Sequence, residues 1–347
     1  MPRLATVDAL KHSSGPNEIG FIRLRTHEPT QCAAGLDRRR RIAQAGRMFS
    51  CMLLAAIVMF IDPSTQPDLV AADAKVEKLA GGMRFTEGPV WMARDHGGFL
   101  VFSDIPADEL KKWSPADRAL STFRRPSHQT NGNALDREGR LVSCEHHARR
   151  VTRTEPDGTV TTLVDSFQGK KLNSPNDVVV KSDGTIWFTD PPYGLPRDAK
   201  RDLDRNYVFR FEPKTHEISV AADDFDMPNG LCFSPDEAKL YIADSGRPHH
   251  VRVFDVGEDG KLSNGRVFCV IEPGVPDGMR CDERGNLWST AGDGIHIFAP
   301  DGKLIGKIPV PETPANLCFG GEDGRTLFIT GRTSLYSIRV GVSAPQR

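Results

Sequence analysis

Asn173-Ser-Pro-Asn-Asp-Val-Val-Val-Lys-Ser-Asp-Gly-Thr-Ile-Trp-Phe-Thr-Asp190 reads as one tight antiparallel unit. Val178 to Val180 is β-branched, as strands favour. Ser182-Asp183-Gly184 supplies the turn, because Gly tolerates positive φ and Asp bonds its own backbone. Thr185 to Phe188 is the return strand. A polar pair, Asn176-Asp177, stands at the mouth of the first strand.

The same arrangement is written six times. The other copies begin at Thr86-Glu-Gly-Pro-Val-Trp91, Thr130-Asn-Gly-Asn-Ala-Leu135, Pro228-Asn-Gly-Leu-Cys-Phe233, Pro276-Asp-Gly-Met-Arg-Cys281 and Ala315-Asn-Leu-Cys-Phe319. Each leads through a turn into a second strand, as at Asp136-Arg-Glu-Gly139 and Asp282-Glu-Arg-Gly285. The mouth residues Glu87, Asn131, Asn176, Asn229, Asp277 and Asn316 stand 44, 45, 53, 48 and 39 residues apart. That period is the length of a four-stranded propeller blade, and further short strands follow each pair. The expected fold is all-β: a six-bladed β-propeller spanning residues 73–347, with a central metal site. A β-sandwich gives no reason for six repeats at this spacing.

Composition agrees. The chain has 347 residues, with 32 Gly and 25 Pro for turns and a formal net charge of -1. That charge gives no support to nucleic-acid binding, and nothing implies a protein partner. The seven cysteines form no Cys-x-x-Cys pair and read as buried free thiols, with a disulfide as the alternative in an exported protein. Residues 1–72 read as a leader. Arg38-Arg39-Arg40-Arg41 precedes the apolar run Met52 to Ile61, and Val70-Ala71-Ala72 offers a cleavage site. The expectation is a periplasmic or secreted protein, touching a membrane only through an uncleaved leader; without a signal it is cytoplasmic.

Innermost strands line a propeller's channel, so the six mouth side chains converge on one axis. Two carboxylates and four amides suit Ca²⁺ or a similar hard cation. Asn-Gly and Asp-Gly also serve as ordinary turns. Here the hairpins have their own turns, so six oxygen-bearing residues in one slot exceed what turn chemistry asks for.

At these residues the chain resembles the gluconolactonase and regucalcin family of six-bladed propellers, in its bacterial sugar-lactonase branch. Phe85-Thr-Glu-Gly-Pro-Val-Trp91, Asn173-Ser-Pro-Asn-Asp-Val178, Trp187-Phe-Thr-Asp-Pro-Pro-Tyr-Gly194, Met227-Pro-Asn-Gly230 and Pro276-Asp-Gly278 carry the likeness, over about residues 80 to 338. The resemblance implies one divalent cation, Ca²⁺ first and Mg²⁺, Mn²⁺ or Zn²⁺ as alternatives. Glu87, Asn176, Asn229 and Asp277 would be its ligands. It also implies hydrolysis of a sugar lactone such as gluconolactone to the aldonic acid, with Asp277 as general base and the cation polarising the carbonyl. One departure stands out: animal members carry arginine where this chain has Ser174. Asn131 and Asn316, left over from the ring, are expected to bind sugar hydroxyls. His146, beside His147 after a second strand, and Tyr193 are further candidate substrate contacts. The rival readings are an organophosphate or aryl-ester hydrolase on the same scaffold and a non-enzymatic binding propeller. No Gly-x-Ser-x-Gly elbow supports a serine hydrolase.

Overall fold

Burial falls from the axis outward, and that gradient explains which sequence forms which strand. The second strand of a blade is covered on both faces by neighbouring blades. Leu141–Glu145, Ile186–Asp190 and Leu287–Ala291 are therefore buried at every residue. Third strands such as Arg150–Thr154 mix buried with half-buried residues, and outer strands such as Val160–Val164 are largely exposed.

The computed structural model describes residues 62, 65–66, 68–94 and 97–346. Most of the expected leader, including the arginine run and Met52 to Ile61, lies outside the described residues, as do Cys32 and Cys51. Among the described residues no helix is long and apolar enough to cross a membrane.

The fold is a six-bladed β-propeller, each blade a four-stranded antiparallel sheet. Blade 1 comprises Thr86–Arg94, Gly97–Asp104, Glu109–Ser114 and Ala119–Arg124; blade 2, Thr130–Leu135, Leu141–Glu145, Arg150–Thr154 and Val160–Val164. Blade 3 comprises Val178–Val180, Ile186–Asp190, Tyr207–Glu212 and Glu217–Ala222; blade 4, Pro228–Phe233, Lys239–Asp244, His250–Val256 and Leu262–Val270. Blade 5 comprises Met279–Cys281, Leu287–Ala291, Gly294–Phe298 and Leu304–Pro309. The long step from Asn176 to Asn229 comes from the loop between Asp190 and Tyr207.

The last blade closes the ring. Pro314–Gly320, Thr326–Gly331 and Ser334–Arg339 come from the end of the chain, and Glu77–Gly81 from its beginning adds the outer strand, pairing Glu77 with Ser337 and Gly81 with Ser334. The inner strands touch one another around the ring, the first meeting the last. Aromatic pairs join blades: Trp187 meets Phe233 edge-on at 5.6 Å, Trp288 meets Phe319 at 5.4 Å, and Trp91 stacks on Phe328 at 5.4 Å.

Part of the expected leader packs with the propeller. Leu69 and Val70 are each 1% exposed and join the cluster containing Trp288, Ile338 and Val342. Gly341 N–H donates to the Leu69 carbonyl at 2.7 Å. Thr65 and Lys307 exchange two hydrogen bonds, of 3.1 and 2.9 Å. Cys144, Cys232, Cys269, Cys281 and Cys318 are buried, and none of these five forms a disulfide.

Candidate active site

In four blades the mouth of the inner strand is shaped by a local break in pairing. Register slips between Glu87 and Val90, Thr130 and Asn133, Pro228 and Leu231, and Pro314 and Asn316. Such bulges re-aim a side chain, here toward the axis. Close approach is the second condition. A Cβ on Gly230 would sit 2.1 Å from the Asp277 carbonyl oxygen, and one on Gly132 2.6 Å from that of Asn176. Glycine after the mouth lets neighbouring blades meet there.

Second strands fasten these mouths. Ser103 Oγ donates to the Asn131 carbonyl at 2.6 Å, Asp177 N–H to Thr189 Oγ1 at 3.1 Å, and Asp277 N–H to Thr290 Oγ1 at 3.0 Å. Carboxylates at the strand ends hold the loops leading in. Asp104 accepts from the Arg84 and Phe85 amides, Asp190 from that of Asn173, and Asp244 from those of Asp226 and Met227. Sequence reasoning missed these staples. Their signal was an acid closing the second strand in the first four copies.

The side chains do converge. Asn131 Nδ2 donates to Asn176 Oδ1 at 2.6 Å, and Asn176 Nδ2 to Asn229 Oδ1 at 2.5 Å. Asn229 Nδ2 donates to Ser245 Oγ at 2.9 Å. His146 Nε2 lies 3.2 Å from both Asn131 Nδ2 and Asn176 Oδ1. Glu87, Asn131, His146, Asn176, Tyr193, Asn229, Ser245 and Asp277 line one cavity of about 440 Å³, walled by Phe85, Ile105, Pro106 and Val275. Asn316 is buried outside that lining and donates to Glu87 Oε2 at 3.0 Å, while His147 is exposed. A second cavity, of about 450 Å³, lies toward the far ends of the inner strands.

Residues 85–333 match the family described as the SMP-30/gluconolactonase/LRE-like region. The chain belongs to this family. A gluconolactonase from Zymomonas mobilis is 36% identical over 291 residues, covering 76% of this chain and 81% of its own. A 6-deoxy-6-sulfogluconolactonase from Pseudomonas putida is 31% identical over 251 residues, 70% of this chain and 82% of its own. The solved gluconolactonase of Xanthomonas campestris is 37% identical with a TM-score of 0.76, covering 81% of this chain and 94% of its own.

Within this family member, the electrostatics of the mouth are unbalanced. Burial raises the Glu87 pKa, and the Asp177 carboxylate raises it further. Asp277 is pushed well above the usual carboxylate range by burial, then by Glu87 and Asp177. Asp277 is deep in the protein yet keeps accessible surface toward the cavity. Burial lowers His146 to about 4, so its imidazole is neutral at pH 7. Among the described residues no three His, Cys, Asp or Glu side chains form a metal cluster. Any cation here must therefore take amide oxygens as well.

Ser174 has a definite job in place of the animal family's arginine. Its Oγ donates to the Pro191 carbonyl at 2.6 Å and accepts from Gly194 N–H at 2.9 Å. The Pro191-to-Gly194 loop is thereby pinned over the mouth. Tyr193 is 42% exposed, and its phenol pKa is raised by burial and then by Asp277. Ser174→Ala removes both bonds. At about 1 kcal/mol per bond, a three- to thirtyfold rise in KM is expected, with kcat little changed. Steady-state kinetics on the protein's best lactone checks this, and an unchanged KM would show that the loop does not need the pin.

Proposed function

We propose that the protein hydrolyses sugar lactones in this axial cavity, with one divalent cation, Ca²⁺ first, held by Glu87, Asn176, Asn229 and Asp277. The observation that carries the reading is a pair of facing carboxylates with raised pKa values among amide oxygens, in a chain of this family. No cationic side chain lines the cavity to offset them. That donor set fits a hard divalent ion. A bound ion would supply Lewis-acid polarisation of the lactone carbonyl.

The chain's own groups do the rest. Asp277 accepts a proton from the attacking water as its oxygen bonds to the carbonyl carbon. The ring C–O bond then breaks, and the proton passes to the departing ring oxygen, leaving an open-chain hydroxy acid. Asn131 and neutral His146 offer hydrogen bonds to hydroxyls, and Tyr193 covers the ring. Phe85, Ile105, Pro106 and Val275 receive its C–H face. Asn316 acts by orienting Glu87. Purified protein is expected to hydrolyse D-glucono-1,5-lactone or D-xylonolactone well above the spontaneous rate and in preference to phenyl acetate. No acceleration on any sugar lactone would overturn the proposal; faster cleavage of the aryl ester would favour the rival hydrolase.

The raised pKa values also predict a pH effect on stability. Without the cation, the folded state keeps protons on Glu87 and Asp277 that the unfolded chain has released. Folded protein then binds more protons than unfolded, so stability falls as pH rises above about 4 and onward through the raised folded values. Calorimetric melts of chelated protein should drop between pH 5 and 8. Ca²⁺ at a hundred times its Kd should restore about 2.7 kcal/mol. A chelated protein whose melting temperature holds level across this range would contradict the unbalanced pair.

A further inference from the structure

Asp177 has no counterpart in the ring. The residue after the mouth is Gly88, Gly132, Gly230 or Gly278 in four blades and Leu317 in another. Only blade 3 places a charge there, and Asp177 is 1% exposed. Its Oδ1 accepts from Val178 N–H at 2.9 Å. Its Oδ2 is buried with Arg280 Nη1 at 3.7 Å, and the Asn316 side chain and the Leu231 backbone also favour its charged form. Arg280 Nη1 donates to the Met279 carbonyl at 2.7 Å, and Arg280 lines the far cavity.

The order along the axis is therefore mouth carboxylates, Asp177, Arg280, far cavity. Asp177 acts on both Glu87 and Asp277, whereas Arg280 acts on Glu87 and Asp177. We propose that Asp177 and Arg280 form an oriented ion pair beneath the mouth, negative end toward the bound cation, which sets the affinity and valence preference of the site. This rests on the cation reading above. The pair adds no net charge, but its nearer end is negative, and a buried dipole acts strongly where little water screens it. Asp177 and Arg280 are thus positioning residues, touching neither substrate nor reacting atoms.

The test is titration of metal-free, full-length protein with Ca²⁺ by calorimetry and with Tb³⁺ by luminescence. Asp177→Asn leaves Arg280 facing the cation alone, and Ca²⁺ affinity should fall about tenfold or more. Arg280→Met leaves three carboxylates, and the preference for Tb³⁺ over Ca²⁺ should rise about tenfold. Arg280→Lys keeps the charge and should stay close to wild type. The double variant D177N/R280M should regain most of the Ca²⁺ affinity lost in D177N, a rescue that a merely structural role does not give. Affinity in D177N within twofold of wild type, or an unchanged Tb³⁺ preference in R280M, overturns the proposal. If R280M does not fold, D177N and R280K still decide. A wild-type protein that binds neither ion removes the cation reading itself.

Discussion

Asp277→Asn is expected to lower lactone turnover about a thousandfold, with the fold intact. The substitution keeps size and one oxygen but removes the proposed proton acceptor and one of two mouth carboxylates. A positioned general base contributes about 10² to 10⁴ in rate, and losing half the ligand charge adds to that. The backbone of Asp277 is fixed independently of its carboxylate. Its N–H bonds Thr290 Oγ1, Ser245 Oγ donates to the preceding Pro276 carbonyl, and Gly278 packs against Asn316. Circular dichroism should therefore overlay wild type. The loss should fall mainly in kcat, with cation binding measured in parallel. Turnover within tenfold of wild type, with the cation still bound, would remove Asp277 from the role of base.

The second large effect is on stability. A chain beginning at Asp73 should unfold more easily than one beginning at Ile61. Leu69 and Val70 are buried in the core between the last two blades, and full burial of such side chains contributes about 1.5–3 kcal/mol each. The Leu69–Gly341 and Thr65–Lys307 hydrogen bonds go with them. The expected difference is about 3–6 kcal/mol in urea unfolding. Coincident unfolding midpoints would show the segment to be dispensable. Processing that spares this packing cuts upstream of Thr65 rather than after Ala72, which N-terminal sequencing of exported protein would read directly.

This segment shows where sequence reasoning stopped. The hairpins were legible because their turns are local: Ser182-Asp183-Gly184 needs only its own φ values and side chains. The mouths were legible because six copies place an oxygen-bearing residue in one slot, and the structure brings Glu87, Asn131, Asn176, Asn229 and Asp277 to one cavity. Residues 65–70 carry no repeat and no alternation, and the burial of Leu69 and Val70 depends on partners some 270 residues away, such as Gly341. The pairing of Glu77–Gly81 with the last blade is equally non-local. Ser174 illustrates a subtler gap: the sequence shows that an arginine is missing, but only the fold shows Ser174 bonding the loop that carries Tyr193. Asn176 and Asp177 are adjacent letters with different places, one at the cavity wall and the other beneath it against Arg280.

The central claim is lactone hydrolysis at an axial divalent-cation site, and metal reconstitution tests it most directly. Chelator-stripped protein should be inactive on D-glucono-1,5-lactone in a pH-stat assay. Activity should return with Ca²⁺ or a related hard divalent ion and saturate at one equivalent per chain. Full activity in the stripped protein, indifferent to added cation, would contradict the account.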